Sequence, residues 1–242
     1  MSQDTRQSEQ TPPKNGGIEF YGGYQVYSES GIDLTLLRGS LEQSVTQRWQ
    51  SNSQSAHSLE AWREASLPNR QARPQTTRIS TMLDTEGFLR LLGSRQIEYV
   101  VIGGLAMIAH GSAYITKDMD ICYNRSPANL AAVAAAFAEI HPYLRGAPPG
   151  LPFRFDAPTI QAGLNFTLVT DLGDIDLLGE VSGVGGYDQA LAQSVEKQIF
   201  GYSVRVLSID SLIAAKRAAG RLKDKNHVLE LEELKKMRDT AP

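Results

Sequence analysis

Two aspartates separated by one residue, Asp118 and Asp120, have the type and spacing that could support chemistry in this sequence. They open the stretch DMDICY, whose polar-apolar alternation predicts a β-strand. On a strand both carboxylates would project from one face, while Met119 and Ile121 point into the core. Carboxylates a few ångströms apart repel by roughly 4 kcal/mol at an effective dielectric near 20, so the pattern favours a cation between them.

The cation that suits such a pair is Mg²⁺, or Mn²⁺ in its place. Mg²⁺ is usually held by one or two carboxylates together with the phosphates of a substrate. The alternative is a solvated edge strand, or a turn that the aspartates cap, and the pattern alone is common by chance. The apolar residues that follow Asp120 favour the strand over the turn.

A short apolar run and a glycine pair precede the aspartates. Tyr99 to Ile102 reads as a buried strand, Gly103 and Gly104 as a tight turn, and Leu105 to Ala109 as the first turns of a helix. Glycines without a Cβ would allow a phosphate to approach the backbone at the start of that helix. A plain strand-to-helix turn explains the same pair, so both interpretations stay open.

A second acidic strand is predicted further along the chain. Leu164 to Val169 reads as one strand and Asp174 to Leu178, with the sequence DIDLL, as the next. Asp174 and Asp176 would share one face of that strand. A third carboxylate on a neighbouring strand is what metal-assisted phosphoryl-type transfer requires. Asp174 also suits the turn before the strand, and the sequence leaves open which of the two serves.

The combination of these motifs resembles a known family. The pattern of a glycine pair, a short helix and Thr-x-Asp-x-Asp resembles the nucleotidyltransferase superfamily of the DNA polymerase β type. Within it, the chain is most similar to the minimal prokaryotic members of abortive-infection and type IV toxin-antitoxin systems. The resemblance covers roughly residues 80 to 238. The matching residues are Gly103, Gly104, Ala106, His110, Gly111, Thr116, Asp118 and Asp120.

This resemblance implies a fold and an activity. The fold would be α/β (α+β), with a small mixed sheet flanked by helices and a C-terminal helical tail. The activity would be transfer of a nucleoside monophosphate from an NTP to an acceptor, with release of pyrophosphate. The acceptor could be an RNA such as tRNA, a protein or a small molecule, and an antitoxin could be a partner. The metal-binding and catalytic residues would be Asp118, Asp120 and Asp176.

The resemblance also implies which residues bind the substrate. A cluster of basic residues lies where the family places groups that face the nucleotide phosphates, although ordinary solvation of helix ends explains it too. His110 would either orient a carboxylate or be a core histidine with satisfied nitrogens. The implied substrate-binding residues are Gly103, Gly104, Thr116, Lys216, Arg221 and Lys223.

A proline-rich stretch from Pro142 to Pro158 predicts a long loop, which in compact domains often borders a functional site. Arg145 and Arg154 in this loop are candidates for contacting an anionic substrate. Surface arginines that only interact with solvent are the alternative.

Composition limits the class of protein. The 242 residues are 41% hydrophobic and 21% charged, with a net charge of −3, which is not basic enough to predict nucleic-acid binding from charge alone. A single cysteine, Cys122, excludes an internal disulfide and suits a reducing compartment. No apolar run reaches the length of a membrane span. We therefore expect a cytoplasmic protein without a membrane contact.

Composition and predicted order divide the chain into two regions. Residues 1–79 read as an extension with a disordered start over residues 1–23, short helices, and a linker from Leu67 to Ser80. Residues 80–242 read as the nucleotidyltransferase-like domain. The alternatives to a transferase are a non-catalytic nucleotide- or partner-binding regulatory module of the same fold, and a metal-dependent phosphohydrolase that uses water as the acceptor.

Overall fold

The computed structural model describes residues 20–21, 24–66, 82–148 and 150–240. Over these residues the protein is a mixed α/β structure, with a seven-stranded sheet flanked by helices and a long helix at the C-terminal end of the described chain. The predicted mixed α/β architecture is therefore confirmed.

The strands within the described residues alternate between the main sheet and two short hairpins. They are β1 (Phe20–Tyr21), β2 (Tyr24–Gln25), β3 (Tyr99–Ile102), β4 (Asp118–Tyr123), β5 (Tyr143–Leu144), β6 (Asn165–Thr170), β7 (Gly173–Leu178), β8 (Glu180–Val181), β9 (Gly185–Gly186), β10 (Ser194–Ile199) and β11 (Tyr202–Leu207).

The helices pack around this sheet and against one another. They are α1 (Leu34–Leu41), α2 (Val45–Ala65), α3 (Thr85–Ser94), α4 (Gly103–His110), α5 (Pro127–Ala138), α6 (Ala157–Ala162), α7 (Tyr187–Ala192), α8 (Ile209–Ala219) and α9 (Leu222–Asp239). None of the helices that the structure describes combines the length and the apolar character that a membrane crossing needs.

The acidic strand β4 lies at the centre of the main sheet. The strand order is β10-β11-β3-β4-β7-β6-β5, so β4 pairs antiparallel with β3 and parallel with β7. Its alternation works as predicted, because Met119 and Ile121 are fully buried while Asp118 and Asp120 on the opposite face are half-buried. The core therefore fixes the direction in which both carboxylates point.

Helix α4 follows β3 without a linker and is buried along its length. Its residues Leu105 to Ala109 are all at most 2% exposed, which suits a helix that packs against β3, β4 and β11 as well as α2 and α8. The helix ends at Gly111, whose φ of 114° is a left-handed conformation that a residue with a Cβ rarely adopts. The apolar segment predicted here is thus a helix of the buried core.

The helices before the domain predicted at residue 80 pack against it. Trp49 of α2 is fully buried, and its indole nitrogen donates to the carbonyl of Leu105 at 3.1 Å. One turn earlier in α2, Thr46 Oγ1 accepts from the backbone N–H of Phe200 at 2.9 Å. Helix α2 therefore connects α4 with the hairpin formed by β10 and β11.

Several local predictions differ from the structure. The short helices expected before residue 80 include the 21-residue α2, which contains the turn expected at Glu60 to Ala65. The loop from Pro142 to Pro158 contains β5 and the first residues of α6. The disorder predicted for residues 1–23 lies outside the described residues except for β1, and the linker predicted from Leu67 to Ser80 lies outside them too.

Candidate functional site

Four aspartates form two rows across the adjacent parallel strands β4 and β7. Asp118 is the register partner of Asp174, and Asp120 is the register partner of Asp176. The intervening residues of β7, such as Ile175, are buried in the core, so all four carboxylates lie on the same face of the sheet. The two acidic strands predicted separately thus combine into one acidic surface.

The glycine pair allows the acidic strand to pack against the start of α4. Gly103 has a φ of 62°, and a Cβ there would lie 2.0 Å from Asp120 Oδ2. A Cβ on Gly104 would lie 2.6 Å from Thr116 Oγ1. Both glycines are therefore required for the close approach of side chains of this same chain, and the amide of Gly104 donates to Asp120.

Asp120 is the carboxylate with the least favourable surroundings for a negative charge. Burial, followed by the negative charges of Asp118 and Asp176, raises its pKa well above the ordinary value. The positive charge of Lys216 and the amide of Gly104 act in the opposite direction. The pKa of Asp176 is also raised, mainly by burial. This face of the sheet carries more negative charge than these neighbours neutralise, and an added cation would relieve it.

Arg145 provides part of the missing positive charge. Its guanidinium donates to Asp176 Oδ1 at 2.7 Å, lies 3.5 Å from Asp118 Oδ2, and forms an ion pair of 3.2 Å between Nε and Asp174 Oδ2. The alternative expected from the sequence, a surface arginine that only meets solvent, is wrong for Arg145. Arg154 is a surface arginine, with a side chain that is 87% exposed and an Nε that lies 3.7 Å from Asp156 Oδ2.

A second charged cluster lies on the opposite side of the cavity, where α8 meets α9. Asp224 is 1% exposed and accepts from Arg221 Nε at 2.7 Å, while Lys216 Nζ and His227 Nδ1 lie 3.5 Å and 3.6 Å from its Oδ1. Burial opposes the charge on Asp224, but the hydrogen bond from Arg221 and the charge of Lys216 lower its pKa. Burial lowers the pKa of Lys216, against the charges of Asp224 and Asp120.

A cavity of about 370 Å³ separates the aspartates from this basic cluster. Every site residue predicted from the sequence lines it: Gly103, Gly104, Thr116, Asp118, Asp120, Asp176, Lys216, Arg221 and Lys223. Asp174 is not among the lining residues, so of the two candidates for the third carboxylate it is Asp176 that faces the cavity.

The segment that leads into β4 is held from behind by α2. Asn52, which is 5% exposed, donates to the carbonyl of Thr116 at 3.0 Å and accepts from its backbone N–H at 2.8 Å. The Thr116 hydroxyl in turn donates to Asp118 Oδ1 at 2.7 Å. One buried amide therefore fixes the backbone of a residue that orients a carboxylate of the cavity.

The donor set suits a hard divalent cation. Asp118, Asp120 and Asp176 offer only carboxylate oxygens, which are the ligands that Mg²⁺ prefers, and Asp120 is a half-buried carboxylate whose pKa is raised by burial and by two neighbouring negative charges. As the side chains stand, no group of three or more His, Cys, Asp or Glu residues in the described part of the chain has the arrangement that holds a metal ion. Binding would therefore require these side chains to rearrange, including those that now contact Arg145.

Some residues of the site carried no usable sequence signal. His227 lines the cavity, where its ring meets Tyr114 edge-on at a centroid distance of 4.4 Å, although it fits no ligand spacing. Asn52 lies 64 positions from its partner Thr116. Of the two alternatives for His110, the core histidine is correct: it is 3% exposed, and its Nε2 lies 2.8 Å from the carbonyl of Leu207.

Comparison with known proteins yields little. No protein-family model matches the sequence. No curated protein matches it either. One similar solved structure is that of a Thermotoga maritima protein provisionally described as a nucleotidyltransferase. It is 16% identical, the match covers 66% of this chain and 98% of that one, and the TM-score is 0.36. At that TM-score no property can be transferred from one chain to the other.

Proposed function

We propose that this protein is a metal-dependent nucleotidyltransferase, which moves a nucleoside monophosphate from an NTP to an acceptor hydroxyl and releases pyrophosphate. The observation that carries the proposal is the cavity itself. Asp118, Asp120 and Asp176 line it together with Lys216, Arg221 and Lys223. A triphosphate needs positive charge along its length and carboxylate-bound metal at the reacting phosphorus, and the two walls offer these separately.

Lys216, Arg221 and Lys223, which we call the basic wall of the cavity, would bind and orient the triphosphate. Lys216 is 12% exposed and lies close enough to both Asp224 and Asp120 for their charges to act on it. Arg221 and Lys223 lie at the more exposed rim of the same wall. In this position a phosphate chain would replace part of the interaction that Lys216 and Arg221 now make with Asp224.

Asp118, Asp120 and Asp176, which we call the acidic wall, would bind the metal and lie beside the acceptor hydroxyl. Asp118, Asp120 and Asp176 would be the ligands, and a bound Mg²⁺ would polarise the phosphoryl group and increase the acidity of the attacking hydroxyl. Asp176 faces the cavity with a raised pKa, which suits a group that accepts the proton of that hydroxyl. In the reaction the acceptor oxygen bonds to the α-phosphorus, and the bond to the bridging oxygen breaks so that pyrophosphate leaves.

The acceptor would be an RNA such as tRNA, a protein or a small molecule, and the motif resemblance supports a role as a component of a toxin-antitoxin system. A binding module without catalysis is the second candidate. The observation that favours it is Arg145, whose guanidinium contacts three of the four aspartates and so offsets part of their negative charge without a metal. A protein that binds nucleotide without catalysis could remain folded with these aspartates paired to Arg145 and no metal bound.

The proposal is tested with the purified full chain, Mg²⁺, RNA and protein fractions, and each NTP labelled in turn at the α- and the γ-phosphate. A transferase attaches the α-label to a macromolecule or small acceptor and releases the γ-label as pyrophosphate. A phosphohydrolase instead gives free phosphate or free nucleotide. Mg²⁺-dependent NTP binding without either product would identify the binding module.

Two variants make this experiment specific. Asp120→Asn removes the central carboxylate of the cavity, and Asp210→Asn removes an aspartate with 70% side-chain exposure that pairs with Lys235 on the surface. We expect Asp120→Asn to lose label transfer by a factor of at least about 10³, as for loss of a principal electrostatic group, and Asp210→Asn to keep it. Equal activity in both variants would contradict the proposed site.

A further inference from the structure

Three basic side chains from three different elements gather at the end of α4 that lies away from the cavity. Arg48 comes from α2, Lys197 from β10 and Arg238 from α9, and all three act electrostatically on His110. Arg238 Nη1 lies 3.3 Å from His110 Nδ1, and Arg48 Nη1 would lie 3.1 Å from a Cβ built on Gly111. We refer to Arg48, Lys197 and Arg238 as the rear basic cluster.

The positive charge of this cluster is not balanced by the described protein. Nε and Nη1 of Arg48 are buried and have no hydrogen-bond partner. The charged groups that act on Lys197 are Arg238 and Arg48, which are also positive. In the described part of the chain no carboxylate forms an ion pair with Arg48 or Lys197. Arg48 as a residue is half-buried, and burying two of its guanidinium nitrogens without hydrogen-bond partners is costly.

A groove beside Arg48 offers room for a ligand. It has a volume of about 370 Å³ and lies between α1, α2 and the segment that follows α4. Polar neutral side chains such as Gln43, Ser51 and Ser55 line it together with Arg48, and none of its lining residues is acidic. Glu230, which does not line the groove, already accepts from Ser112 Oγ at 2.7 Å and from the Ala113 amide at 3.0 Å.

We propose that this groove binds a phosphate group, with Arg48 as its principal contact and Lys197 and Arg238 as supporting charges. An oxyanion matches what the site lacks, because it would accept from the guanidinium and from hydroxyl or amide donors and would offset part of the charge of the three cations. A divalent cation or a basic ligand would increase the existing repulsion. The phosphate could belong to a small anion or to the phosphodiester backbone of an RNA.

This groove and the proposed catalytic cavity share the lining residue Tyr114, but their charged groups lie at different ends of α4. Helix α4 has eight residues, so its two ends lie roughly 12 Å apart at 1.5 Å per residue. Gly103 at the first end lines the cavity, whereas Arg48 lies beside Gly111 at the other. The inference therefore holds whether or not the cavity transfers nucleotides.

The test measures the melting temperature and the binding isotherm of the full chain with sodium phosphate, against sodium chloride of equal ionic strength. Arg48→Met removes the charge and keeps an unbranched apolar stem. Arg63→Met, an exposed position on the same helix, is the matched control. We expect phosphate to raise the melting temperature of the wild type and of Arg63→Met, and Arg48→Met to bind at least tenfold more weakly.

A second arm distinguishes the two sources of phosphate. A fluorescent single-stranded RNA of about 20 nucleotides is titrated with the same variants, with inorganic phosphate as competitor. Arg48-dependent RNA binding that phosphate displaces assigns the site to a nucleic-acid backbone, and phosphate binding without RNA binding assigns it to a small anion.

The proposal is overturned if neither ligand acts beyond the chloride control, or if Arg48→Met binds as tightly as Arg63→Met. Should Arg48→Met fail to fold, as judged by circular dichroism, Lys197→Met takes its place. Phosphate binding that Lys197→Met leaves unchanged would then overturn the proposal.

Discussion

The two ends of α4 lie in opposite electrostatic surroundings. At the first end, Arg145 forms ion pairs with three of the four aspartates, and Lys216 and Arg221 pair with Asp224. At the far end, Arg48 and Lys197 have no described carboxylate as an ion-pair partner. Charge at the cavity is thus partly compensated by ion pairs within the protein, whereas charge at the rear depends on solvent or a ligand. Substitutions at the two ends should therefore change stability in opposite directions.

The largest loss of stability is expected when the balance at the cavity is broken at Asp224. Asp224→Asn keeps the shape of the side chain but leaves Lys216 and Arg221 beside a neutral group in a site that is 1% exposed. We expect the free energy of unfolding to fall by about 3 kcal/mol, measured by urea denaturation. Asp210→Asn, on the surface, should change it by less than about 0.5 kcal/mol. Similar losses in both variants would show that the charge of Asp224 does not stabilise Lys216 and Arg221 in the folded state.

The burial of His110, with a smaller contribution from the rear basic cluster, should make stability depend on pH. Burial, opposed by the hydrogen bond with the Leu207 carbonyl and aided by Lys197, Arg238 and Arg48, lowers the pKa of His110 to about 4 from an ordinary 6.5. The unfolded state then binds more protons than the folded state between these values. Stability is complete above pH 6.5 and is lost as the pH falls toward 4, by an amount on the order of 3 kcal/mol.

The measurement is the free energy of unfolding at several pH values across this window, for the wild type and for His110→Gln. Glutamine can still donate to the Leu207 carbonyl but cannot take up a proton. The variant should therefore show a shallower decrease between pH 6.5 and pH 4. Parallel curves would mean that His110 does not titrate differently in the two states.

A moderate effect is expected at Arg145, where the protein supplies its own cation to the aspartates. Arg145→Met leaves Asp118, Asp174 and Asp176 without this guanidinium, whose side chain is 29% exposed. We expect a loss of about 2 kcal/mol at low salt, because the carboxylates then repel one another. Millimolar Mg²⁺ should recover more stability in this variant than in the wild type.

Arg154→Met is the matched control, because this arginine belongs to the same segment and is 87% exposed. It should leave both the stability and the response to Mg²⁺ unchanged. An Arg145→Met variant that responds to Mg²⁺ no more than Arg154→Met does would show that the guanidinium and the cation do not compete.

The smallest effect, and the one of opposite sign, is expected at Arg48. Arg48→Met removes a charge whose Nε and Nη1 are buried without partners, so the free energy of unfolding should rise by about 1 kcal/mol in a buffer without phosphate. The gain is limited because the C-terminal end of α4 gives a cation some stabilisation. Chemical denaturation beside Arg63→Met measures it. A loss of stability would show that Arg48 is compensated after all.

The sequence was most informative where a local pattern determines the geometry. Alternation with a period of two placed Asp118 and Asp120 on one face, and likewise Asp174 and Asp176, because Met119 and the apolar residues of β7 must be buried. The register that aligns the two strands is a long-range property. The sequence alone therefore left open whether Asp174 or Asp176 faces a cavity.

Contacts made across long separations were not predictable in this way. Arg145 reaches the aspartates because the short strand β5 pairs at the edge of the sheet, and nothing in the proline-rich stretch indicates that pairing. Asn52 and Arg48 lie in a polar helix with no motif, and their roles depend on where α2 packs. Local sequence patterns therefore predicted the residues on the strands and at the glycine turn, whereas the contacts of Arg145, Asn52 and Arg48 depend on tertiary packing.

The two hydrogen bonds between Asn52 and the backbone of Thr116 also constrain the order in which the chain can fold. During synthesis α2 leaves the ribosome well before its partners, since its contacts span 56 residues to Leu105 and 64 to Thr116. A helix rich in serine and glutamine is marginal on its own, so it gains lasting order only when these partners have been made. A nascent chain paused before Thr116 would therefore hold α2 without its anchor, with Trp49 still in contact with water.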